Sequence, residues 1–104
     1  MKKILVACGT AIATATVVAN KIKELCKANG IKVNVTQCKS FEVKPKVNYQ
    51  KYDLVVSTTK VSGEKIEDGK RNINNVPILN GIPYLSGVNK EKLDQEIINS
   101  LKGE

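Results

Sequence analysis

A thiol, a run of small side chains and three hydroxyls come together near the start of this chain. The stretch reads Ile4-Leu5-Val6-Ala7-Cys8-Gly9-Thr10-Ala11-Ile12-Ala13-Thr14-Ala15-Thr16. Cys8 stands between a short apolar run and a helix start. A strand that ends at a thiol, followed by a small-residue loop that opens a helix, aims backbone N–H groups and the positive end of a helix dipole at the sulfur. Such surroundings stabilise a thiolate and any phosphoryl group attached to it. Gly9, Thr10, Ala11, Ala13, Thr14 and Ala15 are small, so backbone can approach a ligand closely. Thr10, Thr14 and Thr16 can add hydroxyl donors. The competing reading is that a cysteine outside a disulfide is a small buried hydrophobe. That suits Cys26, beside Leu25 in a helical pattern, and suits Cys38 less clearly. For Cys8 it explains the residue type but not the neighbours, so both readings stay open at this point.

Other chemistries find less support. The chain has no histidine, which removes the common zinc ligand sets and every Cys–His or Ser–His catalytic pair. A phosphatase signature would place Arg six positions after the nucleophile, and Thr14 stands there instead. Arg71 is the single arginine and is distant in sequence. Without a guanidinium the charge that develops during hydrolysis lacks its main clamp. A loop that binds phosphate but hydrolyses it poorly is what a carrier needs. No GxGxxG or GxxxxGK[ST] pattern occurs, which argues against a nucleotide site. Asp53 starts its apolar run rather than ending it, so it reads as a turn or capping residue, not as a phosphate acceptor.

These residues need a scaffold, and 104 residues suffice for one domain spanning 1–104. Hydrophobic residues make up 41% and aromatics 4%, so the core must be aliphatic. Nothing resembles a signal peptide or a membrane span; the expected location is the cytoplasm, with no direct membrane insertion. Three cysteines without a CxxC pair fit reduced thiols there. The net charge of +7 comes almost wholly from lysine. It is scattered rather than clustered, which describes a solvated surface or one that docks acidic proteins.

The elements follow from hydrophobic periodicity. Residues 3–7 read as a strand buried on both faces, and residues 13–29 as a helix with Val18, Ile22 and Leu25 on one face. Gly30 stands where a glycine cap is expected. Ile31, Val33 and Val35 alternate with polar residues as in a half-exposed strand. Residues 39–52 are weakly patterned, and Pro45 limits any helix there. Leu54-Val55-Val56 reads as a third strand ending at Ser57-Thr58-Thr59. Residues 60–75 read as a polar loop with at most one helical turn. Val76-Pro77-Ile78-Leu79 reads as a fourth strand, placed at an edge by Pro77. Asn89 reads as the N-cap of a last helix whose buried face is Leu93, Ile97 and Leu101. The fold class is therefore α/β, a single-domain open four-stranded parallel sheet with helices on both faces. Ligands bind such sheets at the carboxyl ends of the strands, where Cys8, Thr58 and Asn80 should cluster.

Val6-Ala7-Cys8-Gly9, the small loop, and Ala13-Thr14 entering a helix resemble the enzyme IIB components of the bacterial sugar phosphotransferase system, the galactitol type in particular. The resemblance continues through Ile22-Lys23-Glu24-Leu25-Cys26 and Gln37-Cys38, and returns at Asn80-Gly81-Ile82-Pro83-Tyr84-Leu85-Ser86-Gly87-Val88. It covers nearly the whole chain. It implies that Cys8 accepts a phosphoryl group from a phosphohistidine on a IIA partner and passes it to a sugar or polyol held by a membrane IIC partner. Backbone amides of Gly9, Thr10, Ala11, Ile12, Ala13, Thr14 and Ala15 would then cradle the group, with no metal or cofactor required. One departure is Ala15, where the resemblance implies Ser after the Ala-Thr pair; it bears on one hydroxyl contact to the phosphoryl group and not on the backbone cradle. The first rival is a low-molecular-weight phosphatase or arsenate-reductase-like enzyme, weakened by the missing Arg. The second is a basic nucleic-acid-binding module, opposed by few aromatics, a single Arg and no basic stripe.

Overall fold

The computed structural model describes residues 2–8, 12–61 and 63–102. The first apolar run forms β1 (Lys2–Cys8), and Ile4 to Ala7 are fully buried. Their side chains alternate between two cores, Ile4 and Val6 on one side and Leu5 and Ala7 on the other. A strand covered on both faces needs an unbroken apolar run, and this one has it. The next element, α1 (Ile12–Ala28), buries Ala15, Val18, Ala19, Ile22 and Cys26, the spacing of one helix face. It ends in a glycine cap. Gly30 adopts φ 70°, the Ile31 N–H reaches the Cys26 carbonyl at 2.8 Å, and the Gly30 N–H reaches that of Lys27 at 3.2 Å. This pair of bonds is the Schellman pattern, which satisfies carbonyls that a helix end leaves open.

The chain continues through β2 (Val33–Lys39), a short 3-10 turn (Ser40–Glu42), α2 (Val43–Tyr49) and β3 (Leu54–Ser57). Strand β2 starts at Val33, two residues later than the alternating stretch, and runs through Gln37 and Cys38 to Lys39. Pro45 does not prevent α2. It is the third residue of that helix, in the first turn, where backbone N–H groups have no helical partner anyway. Asp53 caps as expected: its Oδ2 accepts the Lys3 N–H at 2.8 Å, and its own N–H reaches the Lys3 carbonyl at 2.8 Å.

The segment read as a polar loop is instead a hairpin, β4 (Lys65–Glu67) and β5 (Lys70–Ile73), followed by β6 (Val76–Asn80). The sheet is therefore mixed and six-stranded, not purely parallel and four-stranded. Its order is β2-β1-β3-β6-β5-β4, with β2, β1, β3 and β6 parallel and the hairpin antiparallel. The reason lies in two turns. Asp68 and Gly69 have φ 52° and 75°, and Asn74 and Asn75 have φ 51° and 65°. Two successive left-handed residues make the tight turn whose twist suits antiparallel strands, and Asp-Gly is a strong signal for it. Consequently β6 is not an edge strand. Pro77 is tolerated because it lies near the start of β6, one residue before the pairing with β3 begins at Ile78.

Two helices complete the chain, α3 (Ile82–Ser86) and α4 (Lys90–Lys102). Asn89 precedes α4 but lies at φ 60°, in the left-handed region that Asn tolerates, and its carbonyl accepts the Leu93 N–H. Helices α1, α3 and α4 pack on one face of the sheet and α2 on the other. The buried Tyr84 of α3 donates its hydroxyl to Asp94 Oδ1 of α4, joining the two helices. Burial, then the Asp94 carboxylate, pushes the Tyr84 hydroxyl pKa far up, so it stays a donor. At Gly81 a Cβ would stand 3.0 Å from Val56 Cγ1 and 3.4 Å from Val18 Cγ1. Both valines are fully buried, so only glycine lets α3 sit this close to α1 and β3.

Arg71 ties the hairpin to the sheet. Its Nε and Nη2 donate to Glu64 at 2.6 and 2.9 Å, and Nη2 also donates to the Thr59 carbonyl at 3.0 Å. The Glu64 side chain is only 2% exposed, against 26% for Arg71. Hydrogen bonds from Arg71 hold the Glu64 carboxyl below the usual carboxylate range, opposed by burial and aided by the Val61 N–H. A depressed pKa gives stability that is present above the unfolded pKa and lost as pH falls through the folded one. Glu64→Gln should cost about 1–2 kcal/mol at neutral pH, by removing one partner of a partly buried pair. Thermal unfolding of both proteins across pH checks this: the gap in midpoint should close as pH falls below the ordinary carboxylate range.

Candidate functional site

Three parallel strands end together. Ala7 is in register with Ser57, and Ser57 with Asn80, so Asn80 ends its strand at the carboxyl edge and Cys8 and Thr58 lie one residue beyond that level. The edge is joined by backbone bonds between neighbouring strands. The Thr58 N–H donates to the Ala7 carbonyl at 3.1 Å, and the Gly81 N–H to that of Ser57 at 2.8 Å. Asn80 Oδ1 accepts the Ile82 N–H at 3.0 Å, which starts α3. Ser57 turns inward. It is fully buried, and its hydroxyl donates to the Thr59 carbonyl at 2.6 Å. Of the expected hydroxyls at this edge, the one on Ser57 is therefore used for the turn.

Cys8 closes β1 on the α1 face, 2% exposed, beside the buried Ala15. Helix α1 opens at the same edge with Ile12. The loop residues Gly9, Thr10 and Ala11 lie outside the described residues, as do the side chains of Ile12, Ala13 and Thr14. Thr16, read as a further hydroxyl donor, gives its hydroxyl to Gln37 Oε1 of β2 at 3.1 Å. That bond ties the second turn of α1 to the strand beside Cys8.

A cavity of about 150 Å³ opens against Cys8, lined also by Ala15, Gln37, Cys38, Lys39 and Glu42. Lys39 did not stand out in the sequence. The parallel register sets it directly beside Cys8, and register is a property of the folded sheet. Its N–H donates to Glu42 Oε1 at 2.9 Å, which fixes the carboxylate over the turn.

The other two thiols are poor nucleophiles. Cys26 is fully buried, and burial pushes its pKa up. Cys38 is pushed up to about 11, first by burial, then by the Glu42 carboxylate, with Lys46 opposing. At pH 7 only about one Cys38 in ten thousand is then a thiolate.

Arg71 reaches the carboxyl edge through the hairpin, in a cleft of about 370 Å³ that it shares with Thr58, Lys60 and Asn80. Yet β5 is three strands from β1, roughly 14 Å at ordinary strand spacing. Its guanidinium is also committed to Glu64 and Thr59. It is not placed to clamp a group on Cys8. Among the described residues no cluster of His, Cys, Asp and Glu could hold a metal ion, and no helix is long and apolar enough to cross a membrane.

Comparison with known proteins shows the family. The family described as "PTS system, Lactose/Cellobiose specific IIB subunit" matches residues 3–96. The galactitol-specific EIIB component of Escherichia coli K12 is 35% identical over 102 residues, covering 98% of each chain. Its namesake from Shigella flexneri has the same identity and coverage. The putative phosphotransferase enzyme IIB component SgcB of Escherichia coli K12 is 35% identical over 97 residues, 93% of this chain and 94% of its own. The match runs from β1 into α4, and the chain belongs to the lactose/cellobiose-type IIB family, the phosphoryl-transfer carriers of the sugar phosphotransferase system.

Proposed function

We propose that Cys8 is the residue that carries the phosphoryl group. The donor is a phosphohistidine on a IIA protein, and the acceptor is a sugar or polyol held by a membrane IIC transporter. The relatives named galactitol-specific favour a polyol of that class as cargo. The whole chain acts as one cytoplasmic domain. The observation that carries this reading is the position of Cys8. It ends a strand at the carboxyl edge, immediately before α1, where α/β sheets bind ligands.

In the first step the Cys8 thiolate attacks phosphorus. An S–P bond forms and the P–N bond of the phosphohistidine breaks, with its electron pair returning to the imidazole nitrogen. In the second step a sugar hydroxyl oxygen attacks phosphorus. The O–P bond forms, the S–P bond breaks, and sulfur leaves as thiolate while the hydroxyl proton passes to solvent or to the transporter. The backbone amides of residues 9–15 and the N-terminus of α1 would offset the charge of the bound group, roughly −1.5 to −2. The chemistry is positioning and electrostatics, so the chain needs no metal or cofactor for it.

Incubation with phosphoenolpyruvate, the general phosphotransferase enzymes and a cognate IIA tests the reading. Intact mass should rise by one phosphoryl group, peptide mapping should place it on Cys8, and it should persist until IIC and sugar are added. Cys8→Ser should accept none and support no sugar phosphorylation, since a serine hydroxyl forms its anion far less readily. Rapid loss of the group to water, or full transfer by the serine variant, overturns the assignment. Brief alkylation with iodoacetamide near neutral pH supplies a separate measurement. Cys8 should label ahead of Cys26 and Cys38, and labelling of either of those first contradicts the choice of nucleophile.

A further inference from the structure

We propose that the Lys39 ammonium is the side-chain cation facing the phosphoryl group on Cys8, an inference that rests on the reading of Cys8 above. Strands β1 and β2 are parallel with Cys8 opposite Lys39. Partners in a parallel pair leave the sheet on the same side, and the rest of this ladder follows that rule. Ile4 and its partner Val35 face the α1 core, while Ala7 and its partner Cys38 face the α2 core. Lys39 therefore starts on the side of Cys8, one strand spacing away, about 4.8 Å. Both residues line the same cavity of about 150 Å³, which has room for a phosphoryl group.

The charge on Lys39 is available. Its side chain is exposed and makes no ion pair among the described residues. Its Nζ rests 5.8 Å from the centre of the Phe41 ring, a weak hold at an exposed site, and a four-carbon stem lets it swing. Arg71, by contrast, is neutralised by Glu64. The other charged side chain lining the cavity is that of Glu42, held by the Lys39 backbone N–H. Lysine also suits a carrier. It offsets charge as a point cation, without the planar fork with which arginine grips two phosphoryl oxygens at once.

The test uses Lys39→Gln, Lys39→Met and Lys39→Arg in the full chain. Because Lys39 is exposed, all three should keep the wild-type unfolding midpoint. With limiting phospho-IIA, Lys39→Gln and Lys39→Met should accept the phosphoryl group about tenfold more slowly, the worth of one charge-assisted contact. Lys39→Arg should restore most of the rate. A readout without any partner protein is the alkylation of Cys8 by iodoacetate, an anion, relative to iodoacetamide, which is neutral. That ratio should fall about threefold or more in Lys39→Gln and recover in Lys39→Arg, because a nearby cation favours the anionic reagent. If the wild type carries its phosphoryl group on a residue other than Cys8, the relay reading fails and this inference with it. If Cys8 is labelled at the same rate in all four proteins and the alkylation ratio does not move, Lys39 alone is dismissed.

Discussion

The register of β1 between β2 and β3 is the constraint on which the other features depend. Ile4 to Ala7 are fully buried because both faces of β1 are covered. A slip by one residue would exchange its two sets of side chains between cores of different shape. The same register fixes what stands at the carboxyl end. Cys8 meets Lys39 on one side, and the Thr58 N–H bonds the Ala7 carbonyl on the other. Packing in the middle of the strand thus determines which groups surround the sulfur at its end.

That end is held from several directions. Helix α1 is fixed to β2 by the Thr16–Gln37 bond and to the sheet by a face of small and medium residues. Helix α3 follows the Asn80 side-chain bond to the Ile82 N–H, approaches Val56 and Val18 closely at Gly81, and is joined to α4 through Tyr84 and Asp94.

What was legible in the sequence follows from burial. Strands β1 and β3 are apolar runs covered on both faces, and α1 and α4 carry 3.6-residue patterns, so their side chains announce them. The position of Cys8, at the end of β1 and just before α1, was legible because an apolar run and a helix start flank it in sequence. The hairpin was not, because β4 is wholly exposed and its residues Lys65, Ile66 and Glu67 carry little pattern. Its signal was in the turns, Asp68-Gly69 and Asn74-Asn75, whose left-handed preferences outweigh the polarity of the strands between them. Helix α2 was obscured by Pro45, which is a breaker in a helix interior and harmless in a first turn. Lys39 could not be found by local reading at all. Thirty-one positions after Cys8, it becomes a neighbour only through strand pairing.

A carrier of this family must bind a phosphoryl group without helping water to remove it, and the placement of the single arginine bears on that requirement. Hydrolysis is assisted by a guanidinium that can hold two equatorial oxygens as charge develops on them. Here that guanidinium belongs to the hairpin. It bonds Glu64 through two nitrogens and the Thr59 carbonyl through one of them, and it emerges from β5, three strands from β1. Moving it to Cys8 would leave the Glu64 carboxylate without its partner, a cost of about 1–3 kcal/mol for a partly buried pair. The hairpin that the parallel reading of the sheet left out thus does more than extend the sheet. By engaging Arg71 it keeps the strongest phosphate clamp in the chain away from the thiol.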